Sequence, residues 1–303
     1  MRTSLALTLL FLGCGLQPPR EGSPPATQAQ AVPDAPIPAA PQPSPQPTPA
    51  AGPTVPPPLA PVAPFPGYAL AWQDGFEGAG IDPARWNVET GPRRDAVNGP
   101  DALAVKDGLL HMRVYTEAGA HHAGFLSTDK LFSATYGYFE ARIRFTSAPG
   151  EWCAFWLQSP TIGVPLGDPA TAGTEIDVVE HRVTDQGGAQ LADWVAQNLN
   201  WDGYGPEVKR AQHVVQIAGN APVQGQWHVF SVLWEPGAYT FYVDAVPLWR
   251  TAQAVSRRSE FLQLTCEVLD HDWAGDVPKG GYGDRSTTTT GMDVDWVRVW
   301  QKS

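Results

Sequence analysis

The sequence predicts an all-β fold, an antiparallel sandwich, and three observations carry that prediction. In YGYFEARIRF (residues 136–145), Phe139, Ala141, Ile143 and Phe145 fall on one face while Tyr138, Glu140, Arg142 and Arg144 fall on the other. That period-two alternation is expected of a strand packed on one side only. FSVLW (230–234) and YTFYV (239–243) are joined by Glu-Pro-Gly-Ala, which suits a hairpin with Pro236 and Gly237 at the centre of a type II turn. No long stretch shows helical periodicity, and turn residues recur between short β-rich runs.

Taken in order, the chain opens with an export signal over residues 1–14. Arg2 precedes an apolar run from Leu5 to Leu12, too short to span a bilayer. The run ends in Phe-Leu-Gly-Cys, which is similar to a bacterial lipobox, with Gly13 at the cleavage point and Cys14 as the residue to be acylated. An ordinary cleaved signal would export the chain equally well, to the cell surface, the outer membrane or the medium. Residues 15–66 read as a Pro/Ala-rich disordered linker: 19 of the chain's 31 prolines lie between Gln17 and Pro66, with only Arg20, Glu21 and Asp34 charged. At ~3.1 Å per residue this tether reaches on the order of 100–150 Å. Residues 67–303 are enough for one large domain with its own core. Beyond 136–145 and the hairpin, strands are expected at 108–115, 152–158, 174–181, 197–202, 261–268 and 292–301.

A net charge of −11 argues against nucleic acid as a partner and favours neutral ligands. After residue 14 no run approaches the ~20 apolar residues of a membrane helix, so an N-terminal lipid is the expected membrane contact. Cys153 and Cys266 either pair or stay buried and free. A monomer is expected.

The candidate chemistry lies in GTEIDVVEHR (173–182), where Glu175, Asp177 and Glu180 fall within six residues. Regular alternation would put Glu180 on the wrong face. A bulge at Val178–Val179 would return it to the face of its partners. Two carboxyl groups flanking a scissile bond are what glycoside hydrolysis needs, and Asp177 between them would raise at least one pKa. The plainer alternative is a solvated acidic strand face. Gly-x-Ser-x-Gly, His-Glu-x-x-His, phosphate-loop and Cys-x-x-Cys patterns are absent, as is a calcium-loop pattern. His121 and His122 are adjacent, which suits opposite strand faces better than one metal. His181 should face away from the acids. All 12 tryptophans lie in the domain, several beside polar residues and glycines, an arrangement that suits stacking on sugar rings.

EIDVVE resembles the Glu-x-Asp-x-x-Glu signature of glycoside hydrolase family 16. AWQDGFEG (71–78), STDKLFSATYGYFEARIRF (127–145), GEWCAFWLQ (150–158), WHVFSVLWEPGAYTFYVD (227–244) and MDVDWVRVW (292–300) occur around it in the family's order. The resemblance spans 68–302 and implies a concanavalin-like jelly roll with an open cleft on its concave face. It also implies endo-cleavage of a β-linked polysaccharide with retention. By motif position Glu175 would be the nucleophile, Asp177 its assisting carboxylate and Glu180 the acid/base. The longer spacing corresponds to the bulged branch, which holds β-1,3-glucanases, agarases, carrageenases and porphyranases.

Four departures bear on substrate. Asn200 stands where many relatives have His, FLQLTCEVLDHDW (261–273) lacks the usual Leu-Asn-Leu-Ala-Val-Gly-Gly type run, Ala245 replaces a Gly, and WCAFW replaces Trp-Pro-Ala-x-Trp. The expectation is a polysaccharide substrate, β-1,3-glucan first, with an agar- or carrageenan-like galactan as the rival. A lectin-like binding module on the same fold is the reading from another class. Trp152, Trp156, Trp201, Tyr204 and Trp273 are the expected sugar-stacking residues, with Asn200 beside them. No cofactor is required and no metal is assigned, although some relatives hold a structural calcium on the convex side, to which Asp295 could contribute.

Overall fold

The computed structural model describes residues 61–217 and 222–303. The export signal, Cys14 and the tether up to residue 60 lie outside the described residues. Packing begins ahead of residue 67, since Ala63 and Phe65 already rest on Tyr138, Leu233, Tyr242 and Trp300.

Two antiparallel sheets form the body. One runs, edge to edge, through Val246–Thr251, Ala238–Val243, Trp227–Glu235, Gly137–Thr146, Gly291–Lys302, Leu109–Arg113 and Leu103–Lys106, with Tyr68–Asp74 also on Gly291–Lys302. The other runs through Lys209–Gln216, Trp194–Trp201, Glu175–His181, Glu151–Gln158, Phe261–Val268, Phe125–Ser127 and Asn87–Val88. A small third sheet, Gly91–Arg93, Ala96–Asn98, Ala120–Ala123 and Tyr115–Glu117, lies beside them. The helix Pro169–Ala172 has four residues. All the strands expected from the sequence are present. Tyr68–Asp74, Asn87–Val88, Leu103–Lys106, Phe125–Ser127 and the strands of the third sheet are additional, as are Lys209–Gln216 and Val246–Thr251 at sheet edges, where half-exposed strands show weaker patterning.

The core lies between the two sheets. Phe139, Ala141, Ile143 and Phe145 meet Phe155, Leu157, Ile176, Val178 and Leu199 there, all fully buried. Truncating one of these aromatics to alanine would cost about 3–5 kcal/mol. Cys153 and Cys266 face each other in register and are joined as a disulfide.

Two local expectations are corrected. The second face of 136–145 is covered, not solvated, because Phe65 and large side chains of the flanking strands Trp227–Glu235 and Gly291–Lys302 lie against it. Tyr138 lies under Phe65, Trp300 Nε1 donates to Glu140 Oε1 (2.8 Å), and the Arg142 guanidinium sits over Trp227. The hairpin forms with Glu235 opposite Ala238, but Gly237 does not take the positive φ of a type II turn. The next turn does use the left-handed region: Asp244 (φ 50°) and Ala245 (φ 65°) close Val243 onto Val246. That is type I′ geometry, in which a glycine is relaxed and an alanine strained.

Candidate active site

The acid strand Glu175–His181 lies between Glu151–Gln158 and Trp194–Trp201. Pairing with the latter is regular for Glu175 with Asn200, Ile176 with Leu199 and Asp177 with Asn198; the next pair is Glu180 with Ala196. Val178 and Val179 therefore oppose Gln197 alone. On the other side Trp156 faces Asp177 and Phe155 faces Val179, so the extra residue is Val178. Both valines are 0% exposed and belong to the core. This explains the bulge physically. Unbulged, the strand would turn one valine to the polar face and drive Glu180 into an apolar interior, where an unpaired carboxylate is costly.

With the bulge, Glu175, Asp177 and Glu180 share the outer face of the seven-stranded sheet. His181 points the other way, stacked on Phe145 with ring centroids 4.7 Å apart, and burial pushes its pKa down to about 4. Asn200 Nδ2 donates to Glu175 Oε1 (2.7 Å) and to Asp177 Oδ2 (3.2 Å). Gln158 Nε2 donates to Glu175 Oε2 (3.3 Å), the oxygen that also accepts from the Tyr204 hydroxyl. Asn198 Nδ2 donates to Glu180 Oε2. Arg210 Nε steadies Asn200 through its Oδ1 (3.1 Å).

Tyr204 reaches the acids because of its loop. Asp202 and Gly203 both take positive φ, and Asp202 is anchored by the Gly167 amide (2.7 Å) and Lys209 Nζ (2.8 Å). A Cβ on Gly163 would come within 2.7 Å of Gly203 Cα, so the two loops touch through paired glycines.

The electrostatics separate the three acids. Burial, then the charges of Glu175 and Glu267, push Glu180 up to about 7. Burial and the charges of Glu175, Glu180 and Glu267 push Asp177 well above the aspartate range. Burial raises Glu175 too, against hydrogen bonds from Tyr204 and Asn200 that favour its ionised form. Carboxyl groups crowded in this way cannot all ionise together. One glutamate is thus provided with donors to its anion, and another with a proton near neutrality.

The aromatic expectations fare unevenly. Tyr204 is 59% exposed at the site, and Asn200 is in it. Trp152 and Trp156 border the acids but are only 5% and 6% exposed, leaving little open ring face. Trp273 sets its edge against Trp152 and carries the Arg182 guanidinium 4.0 Å above its ring. Trp201 is a correction: with Asn200 on the outer face, alternation turns Trp201 toward the core, where it packs.

Sequence reasoning missed Asn198, Gln158, Arg93, Arg94 and Glu267. Glu267, 6% exposed, is a fourth carboxylate, held by Arg93 Nη2 (2.8 Å) and Arg94 Nε. Its signal was period two in FLQLTCEV, which puts Gln263, Thr265 and Glu267 on one face. On the other sheet, the calcium expectation at Asp295 meets a guanidinium: Arg142 Nη1 donates to Asp295 Oδ2 (2.6 Å). A carboxylate already neutralised by arginine is a poor calcium donor. Asp270, His271 and Asp276 are the one grouping with metal-ligand spacing among the described residues, and His271 there is paired with both carboxylates.

The sequence matches the profile of glycosyl hydrolases family 16 over residues 91–298. The chain belongs to this family. Among its relatives, glucan endo-1,3-beta-glucosidase A1 of Niallia circulans is 24% identical, covering 78% of this chain and 38% of its own length. Keratan-sulfate endo-1,4-beta-galactosidase of Sphingobacterium multivorum is 26% identical, over 77% of this chain and 55% of its own. The chain thus spans about two-fifths to just over half of these curated relatives. The laminarinase of Rhodothermus marinus superposes with a TM-score of 0.62 at 22% identity, covering 78% of this chain and 98% of that one. At that identity the shared feature is the fold, the family's β-sandwich jelly roll.

Proposed function

We propose that this family 16 chain is an exported, lipid-anchored endo-β-glycanase that hydrolyses a β-linked polysaccharide, β-1,3-glucan first, with retention of configuration. The observation that supports it most is the bulged acid row, which puts a hydrogen-bonded Glu175 and a Glu180 of pKa about 7 on one face. In the first step the Glu175 carboxylate attacks the anomeric carbon while Glu180 gives its proton to the departing glycosidic oxygen. In the second, ionised Glu180 takes a proton from water, the water oxygen attacks the same carbon, and Glu175 is released as carboxylate. Asp177, kept protonated by its neighbours, can donate to Glu175 without adding a third negative charge.

A galactan is the second reading. It is favoured by Glu267, which stands on the strand that lacks the usual run and is held there by Arg93 and Arg94 of a separate hairpin, and by the galactosidase among the relatives. Sugar release from laminarin, lichenan, agarose and carrageenan decides between them. Cleavage of a galactan without cleavage of β-1,3-glucan overturns the first choice. Early product should carry the β-anomer by NMR, and early α-product excludes retention. Unchanged release by Glu175→Gln would overturn the catalytic reading of this acid row, whereas binding of a polymer by the wild type with no release would leave only a binding module.

A further inference from the structure

Glu267 and Arg94 come from different sheets, yet the fold brings them together beside the acid row. Glu267 lies on Phe261–Val268, opposite Trp152, two residues along from Thr265 and its partner Ala154; Ala154 in turn lies opposite Glu180. Arg94 sits at the tip of the Gly91–Arg93/Ala96–Asn98 hairpin, with φ 54°. A non-glycine residue in that region persists only where its surroundings hold it. The holding contacts are visible: the Asp95 amide donates to Val268 O (3.0 Å), and the Asp270 amide donates to Asp95 Oδ2 (2.8 Å). The hairpin tip is thus tied to the end of the Glu267 strand. Its guanidinium bonds Glu267 and lies 5.0 Å from the Trp152 ring centre.

We propose that Glu267 and Arg94 are an opposed pair of positioning residues for Glu180, the carboxylate favouring its protonated form and the guanidinium its ionised form. This rests on the acid/base role given to Glu180 above. Other groups facing Glu180 are few. Its own strand supplies Glu175 and Asp177, with Arg182 just past the strand's end, the neighbouring strand the neutral Asn198, and the strand beyond that Arg210. The Glu151–Gln158 strand offers Trp152 and Ala154, without charge. The 269–277 loop brings Trp273, its Asp270 and Asp276 being engaged by His271. Glu267 thus adds a carboxylate from outside the motif, and Arg93 and Arg94 add the cations beside it. Arg94 feels the charges of Glu267, Glu180 and Glu175, in that order.

The test is the pH profile of kcat/KM on whichever polymer the wild type cleaves, whose alkaline limb reports loss of the acid's proton. Glu267→Gln should move that limb down by about 0.5–1 pH unit, and Arg94→Met should move it up by a similar amount. Arg94→Lys, which keeps the charge, should restore it toward wild type. Limbs that stay in place while kcat falls, or that move the same way in both variants, overturn the proposal and leave a structural role only. If Glu267→Gln does not fold, the two Arg94 variants decide by themselves, since their shift has a defined sign. If the wild type cleaves no β-glycan, the enzyme reading fails separately. Carboxyl ¹³C titration of Glu180 in wild type and Arg94→Met then decides the pair without substrate, and an unmoved Glu180 overturns it.

Discussion

Replacing Asn200 with alanine is the sharpest probe of how the site divides its labour. Asn200 is the one side chain that bonds both Glu175 (2.7 Å) and Asp177 (3.2 Å) among the described residues. A hydrogen bond to a carboxylate contributes about 1.5–3 kcal/mol where it is desolvated. At 1.36 kcal/mol per pKa unit, its loss should raise Glu175 by about 1–2 units. The half-buried setting of Asn200 argues for the lower figure. A nucleophile must be ionised, so the acidic limb of kcat/KM should move up by about one unit. Below that limb the variant should be about tenfold slower than wild type, and above it the two should converge to within a few-fold. Asn200→His, which restores a donor of different reach, should recover part of the shift. Initial rates of reducing-sugar release between pH 4 and 9 measure it. An equal loss at every pH, with the limb unmoved, would reduce Asn200 to a shape-filling residue and overturn this account of it.

Three further outcomes follow from the same geometry. Glu151 is fully buried, its pKa pushed up to about 8 by desolvation despite hydrogen bonds from the Ala148 amide (2.6 Å) and Ser147. A raised folded pKa means stability present below about pH 4 and lost as pH rises toward 8. Glu151→Gln should therefore gain on wild type by on the order of 3 kcal/mol between pH 5 and 8.5 in urea melts, and a pH-independent gap would count against it. Cys153→Ser/Cys266→Ser opens a loop closed across 113 residues and should cost about 2–4 kcal/mol, with the same loss on treating wild type with reductant. Ala245→Gly relieves an alanine at φ 65° and should raise stability by about 0.5–1 kcal/mol, read as a higher Tm; a lower Tm would show that the turn is not strained.

The features legible in the residues alone were local ones. Period-two burial is written residue by residue, so the strands, the all-β class and the face of each acid could be read from it. The bulge was legible for the same reason: two adjacent valines cannot both reach a core from a regular strand, and Glu180 cannot enter one. Trp201 could have been read correctly on that rule, since it follows Asn200 directly. Chain packing settled whatever depends on who stands opposite. Asn198 and Asn200 became donors only once strand pairing set them against Asp177 and Glu175. Trp152 and Trp156 lost their open faces to neighbours distant in the chain. Glu267 and Arg94 are 173 residues apart, and nothing local to either announces the other. Electrostatics at a site sums over space, whereas alternation sums along the chain, so the acid row and the mutual raising of its pKa values were readable, and the tuning by Glu267, Arg94, Asn198 and Asn200 was not.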